Sequence, residues 1–98
     1  MSAITNVILL YDLEDDAAAQ SLNATLRSEG HLDLERVDSY AGGEKVMVAP
    51  VMLGAFNHTS PEEIAEAVSK QRWRYPQLVR LFCLYDEQEK WREMELFQ

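Results

Sequence analysis

Hydrophobic and polar positions change their period block by block along the chain, and each period names an element. Ile4 to Tyr11 is apolar on both parities (Ile4, Val7, Ile8, Leu9, Leu10) and rich in β-branched residues, which predicts a strand covered on two sides. Asp12, Glu14, Asp15 and Asp16 then break the run with acids suited to the start of a helix. From Ala17 to Glu29 the period becomes helical. Ala18, Leu22, Thr25 and Leu26 share one face, and Gln20, Asn23 and Arg27 share the other. Gly30 is the expected stop, because glycine accepts the left-handed conformation that ends many helices.

Leu32 to Tyr40 predicts a second strand, with Leu32 and Leu34 alternating against Asp33 and Glu35. Val37 falls out of phase, and a bulge near Arg36 is the expected repair. Ala41-Gly42-Gly43-Glu44 predicts a tight hairpin turn. Val46 to Phe56 predicts a long strand apolar on both faces, interrupted at Pro50, which cannot donate to a ladder. Ser60-Pro61-Glu62-Glu63 is the clearest local signal. Serine caps, proline suits the first helical position, and Glu63 completes a capping box. That helix is expected to run to about Arg72, ahead of Trp73 and Pro76. Leu78 to Tyr85 predicts a strand, Asp86 to Glu89 a charged turn, and Trp91 to Phe97 a last strand.

This order predicts one α+β domain over residues 1–98. The expected fold is a ferredoxin-like β-α-β-β-α-β sandwich, with an extra C-terminal strand and an antiparallel sheet carrying two helices on one face. Two strands that are apolar on both sides then leave a sheet face to be covered. A second copy of the chain, another protein, or the C-terminal hairpin folding across it are the three ways to do so.

Charge narrows the partners. The chain of 98 residues has a formal net charge of −8, with the excess of acids over bases lying mainly in its first half. Nucleic acid and anionic membranes are disfavoured as partners, and a basic protein is favoured. No apolar run approaches the ~20 residues that span a bilayer, and no basic leader opens the chain, so a cytoplasmic location is expected. The single Cys83 agrees, since it cannot form an internal disulfide.

Candidate chemistry is thin. His31 and His58 each lack a second histidine at ligand spacing, and the acids after Asp12 lack the glycine and closing glutamate of a calcium loop. Neither a metal nor a cofactor is expected. Cys83 sits between Phe82 and Leu84 and reads as an inert core thiol. No nucleophile elbow or phosphate-binding loop is present in the sequence. Asn57, His58 and Thr59 precede a helix N-terminus, a place where anions bind, but Glu62 and Glu63 oppose one there. Lys70, Arg72, Arg74 and Arg80 are interleaved with Trp73, Tyr75 and Phe82, a mixture found at protein interfaces.

The expected function is therefore that of a small acidic, non-catalytic interaction or regulatory domain, acting on a basic partner or as a homodimer. Its candidate interface residues are Asp12, Asp15, Asp16, Met52, Phe56, Arg72, Trp73, Arg74 and Tyr75. The alternative is a small dimeric α+β-barrel enzyme or small-molecule-binding protein, with Tyr11, Tyr40, His58 and Tyr85 as pocket candidates.

Overall fold

Thr5, Val7 and Leu9 are almost fully withdrawn from solvent, and they fix β1 (Ile4–Leu10) at the centre of the sheet. The computed structural model describes residues 4–86, 88 and 90–97. After β1 come α1 (Asp16–Ser28), β2 (Glu35–Arg36), β3 (Val51–Asn57), α2 (Pro61–Ser69), β4 (Arg80–Tyr85) and β5 (Arg92–Glu93). Single 3-10 turns occupy Leu13–Asp15, Asp38–Tyr40 and Pro76–Leu78. The strands form one antiparallel sheet in the order β2-β3-β1-β4-β5. The architecture is thus α+β, a five-stranded antiparallel sheet with two helices.

Both helices press their apolar stripes onto the same side of the sheet. Leu22 and Leu26 of α1 and Ile64 and Val68 of α2 join Val7, Leu9, Met52, Phe56, Leu81 and Cys83 in one core. Each of the larger side chains contributes about 1.5–3 kcal/mol by leaving water. Gly54 lies in the middle of β3 because Leu34 crosses over it. A Cβ there would stand 2.7 Å from Cδ2 of Leu34.

The helix ends follow local chemistry. Gly30, at φ 90°, closes α1 with both bonds of a Schellman motif: His31 N–H donates to the Leu26 carbonyl (2.9 Å) and Gly30 N–H to that of Arg27 (3.0 Å). Ser60 caps α2, accepting from Glu63 N–H at 3.2 Å, with Pro61 following. The expected end at Arg72 is too late, since α2 stops at Ser69. Trp73 turns back into the core, and its Nε1–H donates to the Val68 carbonyl at 2.7 Å, a bond that takes up one of the helix's free carbonyls.

The second expected strand, Leu32–Tyr40, shrinks to Glu35–Arg36. Asn23 on α1 takes its N-terminal part away from the sheet. The Leu34 backbone donates to Asn23 Oδ1 (2.9 Å) and accepts from its Nδ2 (3.2 Å). At the other end Asp38 accepts from Val51 N–H (3.2 Å) and opens a 3-10 turn. The bulge expected near Arg36 is unnecessary, because Leu34 and Val37 face opposite sides: Leu34 crosses Gly54, while Val37 lines the outer surface with Leu53. The tight hairpin is also replaced, by a long connection from Val37 to Pro50. The strand expected from Val46 begins only at Val51, just past Pro50, and Val46 and Val48 stay 80% and 85% exposed. The last strand is Arg92–Glu93 alone, after which Met94 and Leu96 pack against the core. Of the expected turn Asp86–Glu89, residues 87 and 89 lie outside the described residues. No helix among the described residues is long and apolar enough to cross a membrane.

Candidate functional site

The alternation that buries Thr5, Val7 and Leu9 turns Ile4, Asn6, Ile8 and Leu10 the other way, onto the side of the sheet that no helix covers. The register sets their neighbours. Ile8 lies between Leu53 of β3 and Phe82 of β4, Asn6 between Ala55 and Leu84, and Leu10 between Val51 and Arg80. The result is an apolar surface three strands wide with one polar side chain, Asn6, near its middle. Asn6 Nδ2 donates to the Leu84 carbonyl at 3.3 Å. A shallow groove of about 410 Å³ runs over this surface, bounded by Glu35 and Val37 on one side and Trp91 on the other. Leu53 and Trp91 remain 39% and 46% exposed.

Among the described residues the C-terminal segment lies beside this surface, with Trp91 at the edge of the groove. β5 continues the sheet beside β4, with Phe82 opposite Glu93 and Cys83 opposite Arg92. Its two residues therefore point to opposite sides: Arg92 meets Glu62 of α2 at 2.7 Å, and Glu93 meets Arg80 on the outer side at 2.6 Å.

The expected interface residues fall in two places. Met52 and Phe56 lie under the helices, 2% and 5% exposed, so the outer surface of β3 belongs to Val51, Leu53 and Ala55 instead. Trp73 is likewise a core residue, its ring 5.9 Å from that of Tyr11. The acids and the arginine–aromatic loop, far apart in sequence, are joined. Both oxygens of the buried Asp15 carboxylate accept backbone N–H groups, from Arg74 at 2.7 Å and from Tyr75 at 2.9 Å. The Arg74 guanidinium lies 5.7 Å from the centre of the Tyr75 ring, and a hydrogen bond with Glu14 raises the Tyr75 hydroxyl above its ordinary pKa. Arg72 is exposed on the same loop.

The remaining acids at this end are engaged as well. Asp12 accepts from Glu14 N–H at 2.9 Å, and Asp16 accepts from the Tyr11 hydroxyl at 3.1 Å and pairs with Arg36 at 3.6 Å. Arg36 also holds Asp38 at 2.8 Å. That bond, with help from Val51 N–H, keeps the Asp38 carboxyl far below the usual carboxylate range. Burial, then the bond to Asp16, raises the Tyr11 hydroxyl above its ordinary value. Asp15, Asp16 and Asp38 thus tie the loops to the sheet.

The pocket candidates separate. Tyr11 and Tyr40 lie toward the end of the sheet where β1 finishes, while His58 and Tyr85 lie where β1 begins. With seven residues in β1, the two ends are about 20 Å apart. His58 is exposed at φ 56°. His31, by contrast, lines a cleft of about 230 Å³ between α1 and α2, with Glu29, Thr59, Glu63 and Glu66. Its ring packs edge-on against Phe56, and Nε2 lies 3.4 Å from Thr59 Oγ1, whose own hydrogen goes to the Asn57 carbonyl at 2.8 Å. Among the described residues no three histidine, cysteine or acidic side chains are grouped to hold a metal. Cys83 is buried, and burial pushes its thiol up to about 11, so it stays protonated near neutrality.

Ile8, Leu53, Ala55, Leu84 and Trp91 were not singled out by the sequence, and Phe82 only as a member of the arginine–aromatic mixture. The signal was present as the second apolar parity of β1 and β3, but nothing in a single strand says which parity faces the helices. Comparison with protein-family models, with curated proteins and with solved structures finds no match to the chain.

Proposed function

We propose that this chain is a small, non-catalytic interaction domain, and that the helix-free side of its sheet is the surface through which it acts. One observation carries the reading: Ile8, Leu53, Ala55, Phe82 and Leu84 form a continuous apolar surface on regular strands, and among the described residues no helix or strand lies over it, with Trp91 standing at the edge of its groove. Apolar patches of a few hundred Å² on a small domain mark contact sites more often than chance surface. The separation of Tyr11 and Tyr40 from His58 and Tyr85 favours this reading over the barrel-type enzyme. A basic partner held by the acids of residues 12–16 gains less support, because Asp12, Asp15 and Asp16 already serve the chain's own backbone and side chains.

The strand arrangement also supports the finer topology suggested by the sequence. β3 lies between β1 and β2, and β1 lies between β3 and β4, so each β-α-β unit is split by a strand of the other. We read this as a ferredoxin-like sandwich with β5 added at one edge.

The test is site-specific photocrosslinking in cells. A photoreactive phenylalanine analogue placed at Leu53, on the outer surface, is expected to give a discrete adduct, and the same analogue at Gln20, exposed on α1, is expected to give none. Equal labelling from both positions, or none from either, would remove the case for this surface.

A further inference from the structure

We infer that the occupant of the outer sheet surface is an amphipathic helix of another protein, its apolar stripe flanked by lysines and arginines. This rests on the proposed interaction surface and names its partner. The edges of the sheet are closed to a further strand. β2 is Glu35–Arg36 and β5 is Arg92–Glu93, so each edge strand has two residues and all four are charged. Short, charged edges resist the addition of a strand. A partner therefore meets the sheet on its face. The covered side shows what such a face accepts: the stripes of α1 and α2 lie on Val7, Leu9, Met52 and Leu81. β1 and β3 are apolar on both parities, the pattern of strands covered on two sides, and among the described residues their second parity has no helix over it.

The dimensions fit one helix. β3, β1 and β4 make the floor, and two strand spacings put the axes of β3 and β4 about 10 Å apart. Glu35 and Val37 stand at one side of this floor and Trp91 at the other. A helix with its side chains is about 10–12 Å across. The floor is about 23 Å long, the length of about 15 helical residues. Its projected area is about 330 Å², which suits a single element and falls well short of the ~800 Å² that each partner gives to a standard interface between globular proteins. Charge then sets the flanks. Asn6, Ile8, Leu53, Ala55, Phe82 and Leu84 leave the middle of the floor uncharged, while Glu35 stands at one wall, and Glu93 and the exposed Glu95 follow Trp91 at the other. Arg80, at the end of β4, answers Glu93 at 2.6 Å, and among the described residues Glu35 and Glu95 are left for a partner. Acids on both sides of a neutral strip complement a helix with an apolar stripe and basic flanks, and the net −8 of the chain draws such a helix in from a distance. The chain's own two helices cannot serve, since their stripes are in the core.

Fluorescence anisotropy reads this directly, with the full chain at about 1 to 200 µM titrated into labelled peptides of about 15 residues. The first peptide has leucines at helical spacing flanked by lysines. The second has the same composition with its leucines at every other position, the period of a strand. The third replaces each lysine of the first by glutamate. The expected result is binding of the first peptide at least about tenfold tighter than of the other two, weakening as sodium chloride rises from about 0.02 to 0.5 M. Ala55→Lys, at an exposed position on the floor, should weaken it about tenfold or more, and Glu35→Gln, which adds no bulk, about threefold with a flatter salt dependence. Gln20→Lys, exposed on α1, should change it by less than about twofold, and circular dichroism checks that each variant is folded. No binding of the first peptide, equal binding of the second or the third, or binding indifferent to the folded Ala55→Lys and Glu35→Gln variants overturns the inference. A discrete photocrosslinked adduct from Leu53, with no binding of the helical peptide, overturns the helix but leaves the interaction surface standing.

Discussion

The two sides of β1 are made of similar side chains and meet different fates. Val7 and Leu9 point under α1 and α2 and are 2% and 0% exposed, while Ile8, between them in sequence, shares its side with Leu53, Phe82 and water. Composition alone would have given both sides the same task. What separates them is that both helices pack on one side, so one apolar layer becomes the source of stability and the other is left for contact. The polar residues divide in the same way. On the covered side they are matched one by one, as with Asn23 on the Leu34 backbone and Thr5 on the Thr59 carbonyl, whereas Asn6 on the outer side makes a single 3.3 Å bond.

The sharpest way to break this comparison is to truncate neighbours that differ only in side. Leu9→Ala removes a fully buried side chain and should cost about 3 kcal/mol. Ile8→Ala, one residue away, should cost clearly less, about 1–2 kcal/mol, since its side chain is only partly withdrawn from water. Urea unfolding at a concentration low enough to keep the chain monomeric measures both. Equal losses would mean that the outer side is as much a core as the covered one, and the interaction surface would lose its basis.

A smaller effect tests the charged end of the covered side. Asp38 is held by Arg36 and by the Val51 N–H, and its carboxyl is depressed well below its ordinary 3.8. A depressed folded pKa adds stability that is fully present above the unfolded value and is lost as the pH falls toward the folded one. Asp38→Asn should therefore cost about 1–2 kcal/mol near neutrality. The difference from the native chain should shrink steadily below about pH 4. The measurement is the urea midpoint of both proteins as a function of pH. A gap that stays constant down to pH 2 would show that Asp38 acts by shape and not by charge.

The same residues show what a sequence can and cannot disclose. Ser60-Pro61 and Gly30 announced helix ends that the structure places where they were expected, because caps are local chemistry written within a few residues. The element order and the α+β class were legible for the same reason, since period is local. The length of β2 was not. It depends on Asn23, on a different element, reaching Leu34 and removing its backbone from the ladder. Nor could alternation in β3 say that Met52 and Phe56 belong inside and Leu53 and Ala55 outside, because both sets are apolar and the choice is made by the side on which the helices land. The joining of Asp15 to Arg74 and Tyr75 is of the same kind, a contact between segments 59 and 60 residues apart that no motif records. The outer surface was inferred in outline but its residues were not, because a surface is a property of the sheet and each of its members is ordinary alone.

The smallest effects lie at β5, where the two sides can be compared with the least disturbance. Arg92 reaches Glu62 on the helix side and Glu93 reaches Arg80 on the outer side, at 2.7 and 2.6 Å, and all four side chains are about half exposed. In water such pairs gain little, since the attraction is screened and two long side chains must be held in place. Double-mutant cycles are expected to give a coupling of about 0.5 kcal/mol or less for each pair in the monomer, falling further as salt is added. Near-equality would mean that the protection given by the helices ends before β5, so that this edge strand is a rim on both sides. A coupling several times larger for Arg92–Glu62 would instead extend the covered layer to the edge of the sheet. In that case Cys83, opposite Arg92, would owe its burial partly to this pair, and Arg92→Ala should make its thiol open to alkylating reagents in the folded chain.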